Sequence, residues 1–161
     1  MKRLRKRSQG RFRRSYRARD IITAICFILL FSFGAAWLEN RSREVVDGLP
    51  RVVDGDSLEL DGRRLRLWGI DAPELSQTCG TGDIPSPCGR NARERLRALV
   101  ARGDFRCRLS GTDRYGRDLA DCRAGGVYVN AEMVRSGHAV AYGGFTREER
   151  HARAEGKGIW A

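Results

Sequence analysis

The chain has 161 residues, 41% of them hydrophobic and 32% charged, which leaves room for one domain with appendages and excludes a polytopic membrane protein and a wholly disordered chain. Its formal charge of +11, from 31 Lys and Arg against 20 Asp and Glu, invites a nucleic-acid-binding reading, but that charge is unevenly placed. Residues 1–20 hold ten basic side chains and one acid, a local net of +9, whereas the remaining 141 residues net only +2. Bulk charge therefore cannot identify what the downstream part does.

Residues 1–20 read as a basic cytoplasmic arm. Ile21 to Leu38 follows as 18 residues without a charge, with large apolar side chains on every side of a helical projection. At 1.5 Å per residue such a helix is about 27 Å long, close to the roughly 30 Å hydrocarbon core of a bilayer. Because positive charge is retained inside, the sequence predicts a single-pass anchor in the cytoplasmic membrane, with everything after it on the periplasmic or extracellular side. Gly34-Ala35-Ala36 keeps a second outcome open, cleavage as a signal peptide and secretion.

Residues 39–49 are polar and read as a linker, and residues 50–161 as the folded domain. Strand signals cover Arg51 to Val53, Ser57 to Leu60 and Arg63 to Ile70, the last two joined by an Asp61-Gly62 turn whose residues both tolerate positive φ. Gly89 to Arg102 predicts a helix with Ala92, Leu96, Leu99 and Val100 on one face. A second hairpin pairs Phe105 to Ser110 with Leu119 to Arg123. Asn130 is read as the cap of a short helix that Gly137 ends, and Thr146 to Glu149 as a capping box opening a last helix that stops near Gly156. Hairpins with interspersed helices make an α+β, mainly β, domain.

Cysteine usage agrees with export. Cys79, Cys88, Cys107 and Cys122 all lie beyond the apolar segment and allow three connectivities. We favour Cys79 with Cys88, closing a loop, and Cys107 with Cys122, facing across the second hairpin. No C-x-x-C spacing occurs, and His138 and His151 are not placed as zinc ligands.

Three clusters carry chemistry. Asp54-Gly55-Asp56 sets two carboxylates on one side of an extended backbone, a pattern that suits a hard cation but also an ordinary turn. Arg66 to Glu74 (RLWGIDAPE) puts an arginine, an aspartate and a glutamate around a proline-stiffened bend. Asp113 to Arg117 (DRYGR) is a tight turn with two guanidiniums and a phenol.

In this order, and with Gly158-Ile159-Trp160 at the end, the clusters resemble the staphylococcal nuclease (thermonuclease) family over roughly Pro50 to Trp160. The resemblance implies an OB-type five-stranded barrel with three helices. It further implies Ca²⁺ bound by Asp56, Asp71 and the main-chain oxygen of Ala72, with Asp54 beside the metal. Arg66 and Arg117 become phosphate-clamping catalytic residues and Glu74 the general base. Tyr115, Tyr142 and Arg114 become substrate-binding groups. The chain departs from the founding member at Ala72, where that protein has threonine, and in the cysteine-bearing loop Ser76 to Pro87, which could reshape one edge of the groove. The implied activity is calcium-dependent endonucleolytic cleavage of single-stranded or frayed DNA and RNA by a monomeric domain, breaking the P–O5′ bond to leave 3′-phosphate ends. The competing expectation is a catalytically inactive nucleic-acid or protein binding module at the membrane.

Overall fold

The computed structural model describes the backbone of residues 18–41, 44–80 and 85–161, and the side chains of residues 21–35, 44–80 and 85–161. The basic arm up to residue 17 and residues 81–84 of the cysteine loop lie outside what is described. The chain forms two compact units, Met1–Ser42 and Arg43–Ala161.

The first unit contains helix α1 (Ala18–Arg41). Its described side chains, from Ile21 to Ala35, are all exposed. Among the described residues no helix is long and apolar enough to cross a membrane, and the expected span, residues 21–38, extends beyond the described side chains.

The second unit is a curled, mainly β domain carrying three helices. Its strands are β1 (Val45–Asp47), β2 (Arg51–Val52), β3 (Ser57–Leu60), β4 (Arg63–Leu67), β5 (Ile70–Asp71), β6 (Arg106–Thr112), β7 (Asp118–Ala124), β8 (Val127–Tyr128) and β9 (Val140–Ala141). The main sheet runs β1-β6-β7-β4-β3-β2 with β8 on β7, and β5 pairs with β9 separately. The predicted set of five strands is thus augmented by very short ones. The β3–β4 hairpin turns at Asp61 and Gly62 with φ of 49° and 80°, the positive values that the Asp-Gly pair tolerates. Strand β1 corrects the linker assignment. Val45, Val46 and Asp47 are too few to signal a strand alone, but they take up the free edge of β6.

Helix α2 (Cys88–Val100) buries Ala92, Leu96 and Leu99 against the sheet, with Val100 partly buried beside them. Together with Leu58, Leu65, Leu67, Ile70 and Met133 they form one apolar core. Both disulfides form as favoured, Cys79–Cys88 and Cys107–Cys122, the second between residues directly opposite on β6 and β7.

Two helix caps differ from expectation. In α3 (Val129–Arg135) the N-cap is Tyr128 and no side chain caps the helix. Asn130 is instead completely buried: its Oδ1 accepts from Cys122 N at 3.0 Å, and its Nδ2 donates to Trp68 O and Ala120 O, both at 3.0 Å. Partners on β7 and in the turn after β4 outcompete a local cap. In α4 (Thr146–Ala154) the N-cap is Phe145, at φ 60°, and no capping box closes. Glu149 turns away to accept from Ala141 N at 3.2 Å and from Arg153, tying the helix to β9.

The helix ends follow the sequence. Gly137, at φ 72°, closes α3 by donating from its N–H to Val134 O while His138 N donates to Met133 O. Burial first, and the neighbouring Arg95 second, hold the His138 imidazole below its ordinary value. Its ring nitrogen Nδ1 sits 3.1 Å from Ser136 Oγ. With the folded pKa lowered, the unfolded chain binds more protons near pH 6. This contribution to stability is therefore present above the unfolded value and is lost as pH falls through the folded one. The urea midpoint should drop between pH 7 and pH 5 in the native protein and drop less in His138→Gln; equal drops would contradict the assignment.

Candidate active site

Parallel pairing of β4 with β7 builds the site. It sets Arg66 beside Leu119, two residues after Arg117, so motifs some fifty positions apart meet at one sheet end. There Arg64, Arg66, Asp71, Glu74, Arg114, Tyr115, Arg117 and Tyr142 line a cleft of about 870 Å³, with Asp113 and Leu119 completing it.

Each functional side chain is held by its own local structure. Strand β4 stops at Leu67 because Gly69 takes φ 77°, which redirects the chain into β5 and its pairing with β9. The Gly69 carbonyl then accepts from Tyr142 N at 3.0 Å, bringing Tyr142 to the cleft. In the 113–117 turn, the Asp113 carboxylate accepts from Tyr115 N (2.8 Å), Arg117 N (2.9 Å) and Arg117 Nε (2.8 Å). The Arg117 main-chain N–H first, then its guanidinium and Tyr115 N–H, hold the Asp113 carboxyl down at about 2. Arg117 is thereby aimed. Arg114 lies over the Tyr115 ring at 4.8 Å, and Arg64 Nη2 donates to Tyr115 O at 3.2 Å.

Glu74 sits in a cradle that sequence reasoning missed. Its N–H donates to Gln77 Oε1 at 3.2 Å, and its carbonyl accepts from Gln77 N at 2.8 Å. Gly89 N donates to Gln77 O at 3.2 Å, and Cys79–Cys88 pins the same loop to the start of α2. Gly89 packs so closely that a Cβ there would fall 1.8 Å from Glu74 O, so only glycine fits.

Asp56 lies under the cleft, almost wholly buried. It accepts from Ser57 Oγ (2.8 Å), Arg66 Nη1 (3.1 Å) and Ala72 N (3.2 Å), while its own N–H donates to Asp54 Oδ1 at 3.1 Å. Arg66 Nη2 reaches Asp71 at 2.5 Å, so one guanidinium spans both carboxylates. Burial pushes the Asp56 carboxyl up to about 6 against the opposing pull of Arg66 and Ser57. One guanidinium thus does not fully compensate the buried charge. Two hard oxygen donors this close fit a divalent cation such as Ca²⁺. Among the described residues no three His, Cys, Asp or Glu side chains group to hold a metal.

A family model described as "Staphylococcal nuclease homologue" matches residues 64–161 of this cleft-bearing domain. The chain belongs to the staphylococcal nuclease family. It is 37% identical over 125 residues to "Succinoglycan biosynthesis protein ExoI" of Rhizobium meliloti (strain 1021), covering 73% of this chain and 65% of that protein. It is 33% identical over 138 residues to "Probable staphylococcal-like nuclease CAN1" of Oryza sativa subsp. japonica, covering 75% of this chain and 39% of that one. An "Uncharacterized endonuclease" of Escherichia coli is 32% identical over 154 residues, covering 89% and 90%. The chain therefore spans less than two thirds of the length of the first two relatives and nearly all of the third. As a staphylococcal nuclease family member, it brings Arg66, Asp71, Glu74, Arg114, Tyr115, Arg117 and Tyr142 to the cleft, with Asp54, Asp56 and Ala72 immediately behind.

Proposed function

We propose that this protein is a calcium-dependent endonuclease that hydrolyses DNA and RNA with little sequence preference, breaking the P–O5′ bond to leave 3′-phosphate ends. The observation that carries the reading is the convergence of Arg66 and Arg117 on one cleft with Glu74. Cleaving a phosphodiester builds charge on the equatorial oxygens of an in-line transition state, and two guanidinium forks match those oxygens. Glu74, whose main chain is fastened to Gln77, accepts the proton of the attacking water. Tyr115 and Tyr142 offer exposed rings on which bases of single-stranded or frayed substrate stack. Asp56, Asp71 and the Ala72 carbonyl would hold Ca²⁺, which supplies further electrostatic stabilisation of phosphoryl charge. Arg66 is held at both Nη atoms by these carboxylates, so its reach to phosphate depends on what they bind.

The same proposal places the domain outside the cytoplasm. It is supported by two disulfides and by a basic arm ahead of an apolar helix, and it does not require that helix to remain in a membrane.

Calcium binding is testable apart from catalysis. A ligand at a hundredfold its Kd stabilises a folded protein by about 2.7 kcal/mol. Saturating Ca²⁺ should raise the thermal midpoint of the native protein and leave that of Asp56→Asn unmoved. No shift in the native protein would overturn the calcium assignment. End-labelled oligonucleotide products that resist a 5′-phosphate-specific exonuclease and lose their 3′ end group to a phosphatase would agree with P–O5′ cleavage; 5′-phosphate products would contradict it.

A further inference from the structure

Beyond the cleft, the outer face of the sheet carries a second groove of about 440 Å³, lined by Val45, Arg106, Arg108, Asp121, Arg123 and Tyr128 along with Cys107. Arg106 and Arg123 are direct cross-strand partners on β6 and β7, and Arg108 lies two positions further along β6 on the same exposed face. Like charges directly opposite on a sheet repel. Among the described residues, none of the three arginines has a carboxylate salt bridge, whereas Arg51, Arg63, Arg66, Arg95 and Arg117 do.

Two carboxylates border the groove without neutralising it. Asp121, opposite Arg108, is turned to the Tyr128 hydroxyl, which donates to it at 2.6 Å. Asp47 stands opposite Arg106 on the edge strand β1 and makes no ion pair there. Arg123 instead lies over the Tyr128 ring at 5.0 Å, and Tyr128 in turn meets Phe145 edge-on at 5.4 Å. Guanidiniums gathered beside an aromatic face match an anionic chain that also carries flat rings.

The groove also continues the cleft. Leu119 lines the cleft, and Asp121 and Arg123 follow on the same face of β7 at the strand period of two. Leu119 and Arg123 are therefore about 13 Å apart along the strand. We infer that the face formed by Arg106, Arg108 and Arg123 is a phosphate-binding track for the nucleic-acid chain beyond the scissile bond. This rests on the nuclease reading, and it names a second contact region that gives long substrates an advantage over short ones.

The test compares native protein with Arg106→Gln/Arg123→Gln, using a single-stranded 20-nucleotide DNA and a nitrophenyl phosphodiester of one nucleotide that fills only the cleft. The double variant should raise KM for the 20-mer on the order of tenfold at moderate salt and leave the short substrate unchanged. The salt slope of 20-mer binding should become shallower by about 0.7 for each arginine removed. Its thermal midpoint should be equal or higher, since a repelling pair is gone. An unchanged KM and salt slope, or equal losses on both substrates, would overturn the track. If native protein cleaves neither substrate, the nuclease reading fails by itself, and the salt slope of 20-mer binding measured by fluorescence anisotropy still decides the track.

Discussion

Arg66→Ala and Arg117→Ala should each lower turnover on single-stranded DNA by on the order of a hundredfold or more, the usual loss when one preorganised transition-state donor is removed. The effect should fall on kcat more than on KM, because charge on the phosphoryl oxygens peaks in the transition state. The two variants differ in a second respect. Arg66 is the counterion of the nearly buried Asp56, so its loss also leaves a desolvated carboxylate unpaired. Arg117 is held by Asp113 at the cleft rim, so its loss should leave the fold intact. Arg117→Ala with a native thermal midpoint and a collapsed kcat is the expected result of a stopped-flow or steady-state assay with parallel melting curves. Near-native turnover in both variants would show that these guanidiniums do not contact the reacting phosphate.

The second large effect is on stability. Asn130→Leu should destabilise the domain by about 3 kcal/mol or more. The side chain accepts from Cys122 N and donates to Trp68 O, and adds to Ala120 O, which already accepts from Trp68 N at 2.9 Å. Leaving a buried donor and a buried acceptor unpaired costs about 1–3 kcal/mol each. Asn130 fastens the Trp68 carbonyl next to the Gly69 kink, which aims β5 and hence Asp71. Activity per folded molecule should therefore fall as well. A urea midpoint within error of native would show that the bridge is replaceable.

The features legible in the sequence were those decided by neighbouring residues. Asp61-Gly62 turned as its residue types demand, α2 buried the face its periodicity marks, and Gly137 and Gly156 ended their helices at positive φ. Both disulfides followed from a hairpin register and a short loop. What was not legible depends on distant partners. Three residues of β1 become a strand only because β6 offers an edge, and Asn130 and Glu149 abandoned local caps for strands brought to them by the fold. In the site, the three motifs were visible in chain order, but the parallel β4–β7 register that joins them is a tertiary fact. Likewise Gly89 looked like an ordinary helical residue, and nothing local announces that its missing Cβ leaves room for Glu74 O.

The central claim, that this cleft hydrolyses phosphodiesters with a bound cation, is tested most directly by incubating the full-length protein with single-stranded DNA in Ca²⁺ and then in EDTA. Endonucleolytic fragments that accumulate with Ca²⁺ and disappear on chelation, and that are lost in Arg117→Ala, are the predicted result. Intact DNA in Ca²⁺, with binding retained, would contradict catalysis and make the domain a binding module.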